Sequence, residues 1–270
     1  MNTSVIESDI GVTGAVVSVD LNNDLSINSV KYFLYDYWIR ECDPRTRHHF
    51  LTRNGPERCL LVMIFWLLFV IRWGPDWMRN RKPMNLRTVM LAYNTFMVAV
   101  NAYFFYRALH WLNFGRRLWE FEFPERNDNS PSTLALIDEH VLYSYTKFID
   151  LMDTVFFVLR KKDRHLSFLH LYHHFTVPVL AWVVMKIAPT VVPIGVFAAL
   201  NTFVHTFMYA YYALSAFGPQ MQRYLWWKHY ITIAQILQFA ILIIYGIFNI
   251  FLSNGYPIGL YWTGMLTNFY

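Results

Sequence analysis

The residues best suited to chemistry stand in one short stretch, His170-Leu171-Tyr172-His173-His174, which puts three imidazoles into five residues. It interrupts a run that is otherwise apolar from Leu166 to Val184. On an α-helix the first, fourth and fifth positions share a face, so the three rings crowd one patch. An ionisable group at membrane depth is costly and faces a cavity, a partner or a substrate. Satisfying three imidazoles for packing alone is expensive, which makes this cluster the leading candidate for a reactive centre.

Other polar residues recur at helical spacing. Lys147, Asp150, Asp153 and Thr154 fall three or four apart, so the carboxylates can pair with Lys147 or reach across to a histidine. Asn201, His205, Met208, Tyr209 and Tyr212 form a second stripe, and Thr232, Gln235 and Gln238 a third. Each stripe has a plain alternative. Asn, Gln and Thr commonly glue membrane helices together, tyrosines anchor at interfaces, and Lys147 with Asp150 can be a structural ion pair. Measured by helical rise from one end of each apolar run, however, His173, His205, Asp150, Asp153, Gln235 and Gln238 all fall roughly 10–17 Å deep. Four helices thus offer polar groups to one slab, suited to a substrate with an acidic, water-soluble head and a long apolar tail.

The elements that must carry these residues are membrane helices. The 270 residues are 56% hydrophobic, 19% aromatic and only 15% charged, too poor in charge for a soluble domain. The net charge of +5 comes from short basic clusters between apolar runs, as topology signals do, and nucleic acid is not an expected partner. Residues 1–55 read as an extramembrane segment, partly disordered, with one short amphipathic helix over Val30 to Arg40 and no cleavable signal peptide. Residues 56–270 read as an all-helical transmembrane domain with spans at about 57–73, 86–110, 134–159, 166–185, 190–216 and 229–252. A seventh begins at Pro257 and reaches Tyr270, short of the roughly 20 residues a crossing needs, so truncation of the last helix is expected. Cys42 and Cys59 form no CxxC pair, and a disulfide between them is not assumed.

Orientation follows the basic residues. Arg72, Arg79, Arg81, Lys82 and Arg87 separate the first two spans; Arg160, Lys161, Lys162 and Arg164 follow the third; Arg223 and Lys228 follow the fifth. These connections are expected in the cytosol. The second balances its arginines with Glu120, Glu122, Glu125 and Asp128, and the fourth carries only Lys186. Seven spans then put the N-terminus in the lumen and the C-terminus in the cytosol.

Taken in order, Gly74-Pro75 to Arg81-Lys82-Pro83, Lys147-Phe148-Ile149-Asp150-Leu151-Met152-Asp153-Thr154, Arg160-Lys161-Lys162, His170 to His174, Asn201 to Tyr212 and Thr232 to Gln238 resemble the successive motifs of the very-long-chain fatty acid elongases. The resemblance covers residues 74 to 250. It departs at Asp150, where the family commonly has Glu, and at the C-terminus, where members typically complete the seventh helix and add a Lys-rich tail. The resemblance implies a 3-ketoacyl-CoA synthase of the endoplasmic reticulum membrane, in which seven helices enclose a narrow acyl channel. It would condense a long acyl-CoA with malonyl-CoA and release carbon dioxide. No bound cofactor or metal is expected, the coenzyme A thioesters being substrates. The bilayer, further copies of the chain and other enzymes of the elongation cycle are the partners it suggests.

On that reading His173 is acylated, and His170 or His174, with Asp153, fixes its tautomer and moves protons. His205 holds the malonyl thioester and stabilises the enolate. Asp150, Lys147, Asn201, Tyr209, Tyr212, Gln235 and Gln238 are candidates for substrate binding within the membrane. Lys161, Lys162, Arg164 and Lys228 are candidates for the coenzyme A phosphates. Two rivals start from the same residues. A di-iron desaturase or hydroxylase needs roughly eight histidines in several boxes, whereas only His170, His173, His174 and His205 of the ten here fall in the slab. A seven-helix transporter gains little from a triad of imidazoles, and no inverted repeat supports it.

Overall fold

The computed structural model describes residues 31–40 and 42–252. Helices dominate, and no β-strand is formed among the described residues. The longer ones are α1 (Glu57–Met78), α2 (Arg87–Trp111), α3 (Pro131–Ile149), α4 (Leu151–Leu159), α5 (Phe168–Ile187), α6 (Val192–Ser215) and α7 (Lys228–Leu252). Five of them, α1, α2, α5, α6 and α7, are long and apolar enough to cross a membrane. The third expected span is formed of two consecutive helices, α3 and α4, which meet at Asp150, and its run from Pro131 to Leu159 carries Asp138, Glu139, Lys147, Asp150 and Asp153. The expected seventh lies outside the described residues. Over the expected amphipathic stretch, a wide helical turn at Tyr32–Asp36 runs into a single helical turn at Tyr37–Arg40.

The helix ends follow local rules. Ser130 caps α3, its hydroxyl accepting from the Thr133 amide with Pro131 in the first turn. Just before it, hydrogen bonds from the Thr133 hydroxyl and the Ser130 amide hold the Asp128 carboxyl below the usual carboxylate range. Ser167 caps α5 by accepting from the His170 amide. Pro178 lies inside α5 and has no N–H to give the His174 carbonyl, loosening the helix one turn beyond the histidines.

Packing divides the helices into groups with a shared polar centre. Cys59, Met63, Trp66 and Val70 of α1 bury against Leu151 and Val158 of α4 and Trp182 of α5. Tyr143 of α3 and Ala108 of α2 bury against Val192, Val196, Ala198 and Ala199 of α6 and Leu242 of α7. The closest helix pair is α2 with α6, where a Cβ on Gly195 would stand 2.1 Å from the Trp111 ring. The outward faces are apolar: Leu61, Ile64, Phe65 and Leu68 on α1, and Ile236, Leu237, Ile244 and Phe248 on α7, are exposed. Faces of this extent suit lipid rather than water.

The segment before α1 is fastened to the bundle. The Asp43 amide donates to the Lys186 carbonyl, Trp182 Nε1 to the Leu51 carbonyl, and Lys186 Nζ to the Thr52 and Asn54 carbonyls. Lys186, expected as a loop charge, is thus a buried anchor at the end of α5. Cys42 and Cys59 are both free thiols, and both are buried.

Candidate active site

The break between α3 and α4 positions the acidic half of the site. The Asp153 amide bonds to the Asp150 carbonyl, a three-residue turn that swings both carboxylates to one side. That tightening frees the Ile149 carbonyl, which the Tyr93 hydroxyl of α2 then satisfies at 3.2 Å. The Trp66 indole donates to the Leu151 carbonyl at 3.2 Å from the opposite flank. The break is therefore braced by side chains of two neighbouring helices, Tyr93 on the freed Ile149 carbonyl and Trp66 on the Leu151 carbonyl.

Asp150 and Lys147 form a buried ion pair, with Nζ 3.0 Å from Oδ2. Lys147 also donates to Asn201 Oδ1 at 2.8 Å and sits over the Tyr143 ring at 5.2 Å. Tyr209, fully buried, places its hydroxyl 2.9 Å from Asp150 Oδ1 and 2.7 Å from Asp153 Oδ2. A phenol has one proton, so it donates fully to one carboxylate and accepts from the other only when that one is protonated. Asp153 meets Tyr209 here.

The lysine contact settles the orientation of His205. An ammonium can only donate, so the atom it touches on Asn201 is the carbonyl oxygen, and the Tyr143 hydroxyl reaches the same oxygen at 3.3 Å. Asn201 Nδ2 is then the donor to His205 Nε2 at 3.2 Å. The ring proton of neutral His205 consequently sits on Nδ1. That atom is buried without a hydrogen-bond partner among the described residues, 3.9 Å from Asp150 Oδ2.

The histidines of α5 lie alongside. His170 and His174 pack with ring centres 4.2 Å apart, and His173 with His174 at 5.7 Å. His170 Nε2 is 3.0 Å from the Thr154 hydroxyl of α4. His173 is within electrostatic reach of Lys147, Asp150 and His205, and His174 of Lys147, His170, His173 and His205. Phe239 of α7 closes on His173 at 6.4 Å, edge to face. Imidazoles from α5 and α6 thus share the electrostatic neighbourhood of one lysine–carboxylate pair.

The remaining candidates divide by place. Gln238 is buried on α7, Gln235 contacts the Met208 sulfur at 3.7 Å, and Tyr212 packs on Tyr209 at 6.2 Å. Lys162, Arg164 and Lys228 are exposed, while Lys161 reaches the Arg79 carbonyl at 3.2 Å. Sequence reasoning missed Tyr93 and Tyr143. Tyr143 stands one turn before Lys147 and could have been found by extending that stripe; Tyr93 is one of three tyrosines in α2 and belongs to no polar stripe, so it gives no such signal.

An all-helical protein with lipid-suited outer faces, carrying four half-buried histidines beside a buried ion pair, defines a polytopic membrane protein with a polar centre. The family model described as ELO: GNS1/SUR4 family matches residues 51–269, and this chain belongs to that family. It is 37% identical over 249 residues to very long chain fatty acid elongase 7 of Rattus norvegicus, covering 88% of this chain and 84% of that protein. It is 41% identical over 211 residues to very long chain fatty acid elongase 1 of Homo sapiens, covering 77% and 74% respectively. With very long chain fatty acid elongase 4 of Homo sapiens it shares 34% over 260 residues, or 96% and 79%.

Proposed function

We propose that this protein is a 3-ketoacyl-CoA synthase that condenses a long-chain acyl-CoA with malonyl-CoA in the first step of fatty acid elongation. The family match supports the reaction class. The observation that carries the reading to a site is the chain of contacts from the Lys147–Asp150 pair through Asn201 to His205, with His173 and His174 within electrostatic reach of it.

In the first half-reaction a ring nitrogen of His173 attacks the thioester carbonyl, coenzyme A leaves as the thiol once protonated, and an acyl-imidazole remains. His170 and His174 are near enough to relay the proton, with Thr154 orienting His170. In the second, malonyl-CoA loses carbon dioxide, and the electron pair of the broken bond becomes a thioester enolate. The enolate carbon attacks the acyl-imidazole and expels the ring, which takes up a proton drawn from solvent, giving 3-ketoacyl-CoA and restoring neutral His173. His205 Nδ1–H is the donor suited to the enolate oxygen, since Asn201 already occupies Nε2. Lys147, paired with Asp150, acts through Asn201 as a positioning residue.

The same reading places the chain in the endoplasmic reticulum membrane, with seven spans, a lumenal N-terminus and a cytosolic C-terminus. Lys161, Lys162, Arg164 and Lys228 would meet the coenzyme A phosphates at the cytosolic mouth of an acyl channel whose depth limits chain length. Labelled malonyl-CoA and a panel of acyl-CoAs supplied to purified protein test the proposal. Labelled 3-ketoacyl-CoA from the wild type and none from His173→Ala is the expected result. No product with any acyl-CoA rejects the reaction, and full activity in the variant removes His173 from the nucleophile's role.

A further inference from the structure

We propose that His48, His49 and Asp138 form a binding site for one divalent first-row transition ion, of which zinc is the best fit, on the outer rim of the bundle. His48 Nε2 lies 2.7 Å and His49 Nε2 2.9 Å from the same oxygen, Asp138 Oδ1. The ligating atoms of all three residues fall within 4.8 Å of one another, and among the described residues this is the one such grouping of His, Cys, Asp and Glu. Two imidazoles and a carboxylate on one side of an ion leave its remaining position to water, a donor set and count that zinc accepts.

The scaffold beneath is firm. Asp43 and Arg45 form a buried pair, Arg45 Nη1 donates to the Asp128 carbonyl at 2.8 Å, and the Thr52 hydroxyl to the Thr46 carbonyl at 2.6 Å. The Leu51 amide is bound by the Tyr145 hydroxyl of α3 at 3.2 Å, and the edge of the Tyr145 ring backs His49 at 6.4 Å. His49 is therefore fixed from both sides. The His48 and Asp138 side chains are 59% and 45% exposed, so an ion from solvent reaches both and both can adjust to it.

Little adjustment is required. Ligands about 2.0–2.1 Å from a tetrahedral zinc stand about 3.3 Å from each other, so the present separations need to open by about half an ångström. On binding, the proton that each Nε2 donates to the carboxylate gives way to one on Nδ1, and the Nε2 lone pair so exposed faces the metal. The ion would then cross-link residues 90 positions apart, fastening the segment before α1 to α3. Asp138 stands nine residues from Lys147, about 14 Å along the helix, so the site is structurally linked to the reactive centre without belonging to it.

The test is zinc and cobalt(II) binding to tag-free, chelator-stripped protein in detergent, with equilibrium dialysis for stoichiometry and cobalt absorption for ligand geometry. One equivalent of zinc and cobalt d–d bands of a four-coordinate ion are expected for the wild type. His48→Ala and Asp138→Asn should each weaken zinc binding at least tenfold while keeping the wild-type size-exclusion profile. His165→Ala, which alters an exposed histidine elsewhere, should bind as the wild type does. Wild-type protein that retains no zinc, or His48→Ala and Asp138→Asn proteins that bind it as tightly as the wild type, would overturn the proposal.

Discussion

Replacing Lys147 by Met removes the ammonium that faces the Asp150 carboxylate at 3.0 Å, in a place where both side chains are almost wholly buried. Breaking such a pair from one side leaves an uncompensated buried charge and costs about 3–5 kcal/mol. Asn201 Oδ1 also loses its 2.8 Å partner, so the damage spreads to His205. For a protein of this size about 1 kcal/mol shifts the thermal midpoint by about 2–4 °C, so Lys147→Met should lower it by about 6–20 °C. Asp150→Leu alone should cost a similar amount by stranding the ammonium. The double variant Lys147→Met/Asp150→Leu should recover most of the loss, because no charge is left unpaired and Tyr209 keeps Asp153 as its 2.7 Å partner. The assay is thermal unfolding in detergent, read by tryptophan fluorescence and by size-exclusion survival after heating. Single variants within about 2 °C of the wild type, or a double variant whose loss equals the sum of the singles, would refute the reasoning.

Three further outcomes follow. Asn201→Asp keeps a partner for Lys147 but removes the donor to His205 Nε2; kcat/KM should fall about a hundredfold, with a smaller change in thermal midpoint than Lys147→Met produces. Gly195→Ala drives a Cβ to 2.1 Å from the Trp111 ring and should destabilise the α2–α6 contact by about 1–3 kcal/mol, with partial rescue by Trp111→Leu in the same thermal assay. Burial pushes the Cys42 thiol above its ordinary range, so its thiolate fraction is smaller than a free cysteine's at any given pH. In a Cys59→Ala background maleimide labelling should therefore be slow at neutral pH and accelerate only at higher pH; labelling at the rate of free cysteine would contradict this.

The sequence discloses the centre better than its supports. His170, His173, His174 and His205 stand out because ionisable groups are rare in apolar runs, and the helical period alone puts Lys147, Asp150 and Asn201 near them. Five spans are legible for the same reason, their boundaries moving by a few residues. The break at Asp150 is not, since the polar residues that cause it are also the ones a reader assigns to a functional stripe. Tyr93 acquires its role only when that break frees the Ile149 carbonyl. Lys186 reads as a loop charge until Thr52 and Asn54 are seen to bind it. His48 and His49 gain meaning only beside Asp138, which the chain reaches 90 residues later.

The most direct measurement is the mass of the protein after exposure to a long-chain acyl-CoA without malonyl-CoA. The account predicts one added acyl group, mapped to the peptide that contains His173, absent from His173→Ala and discharged as 3-ketoacyl-CoA once malonyl-CoA is added. An unmodified protein that nevertheless turns over, or an adduct that persists in His173→Ala, would contradict it.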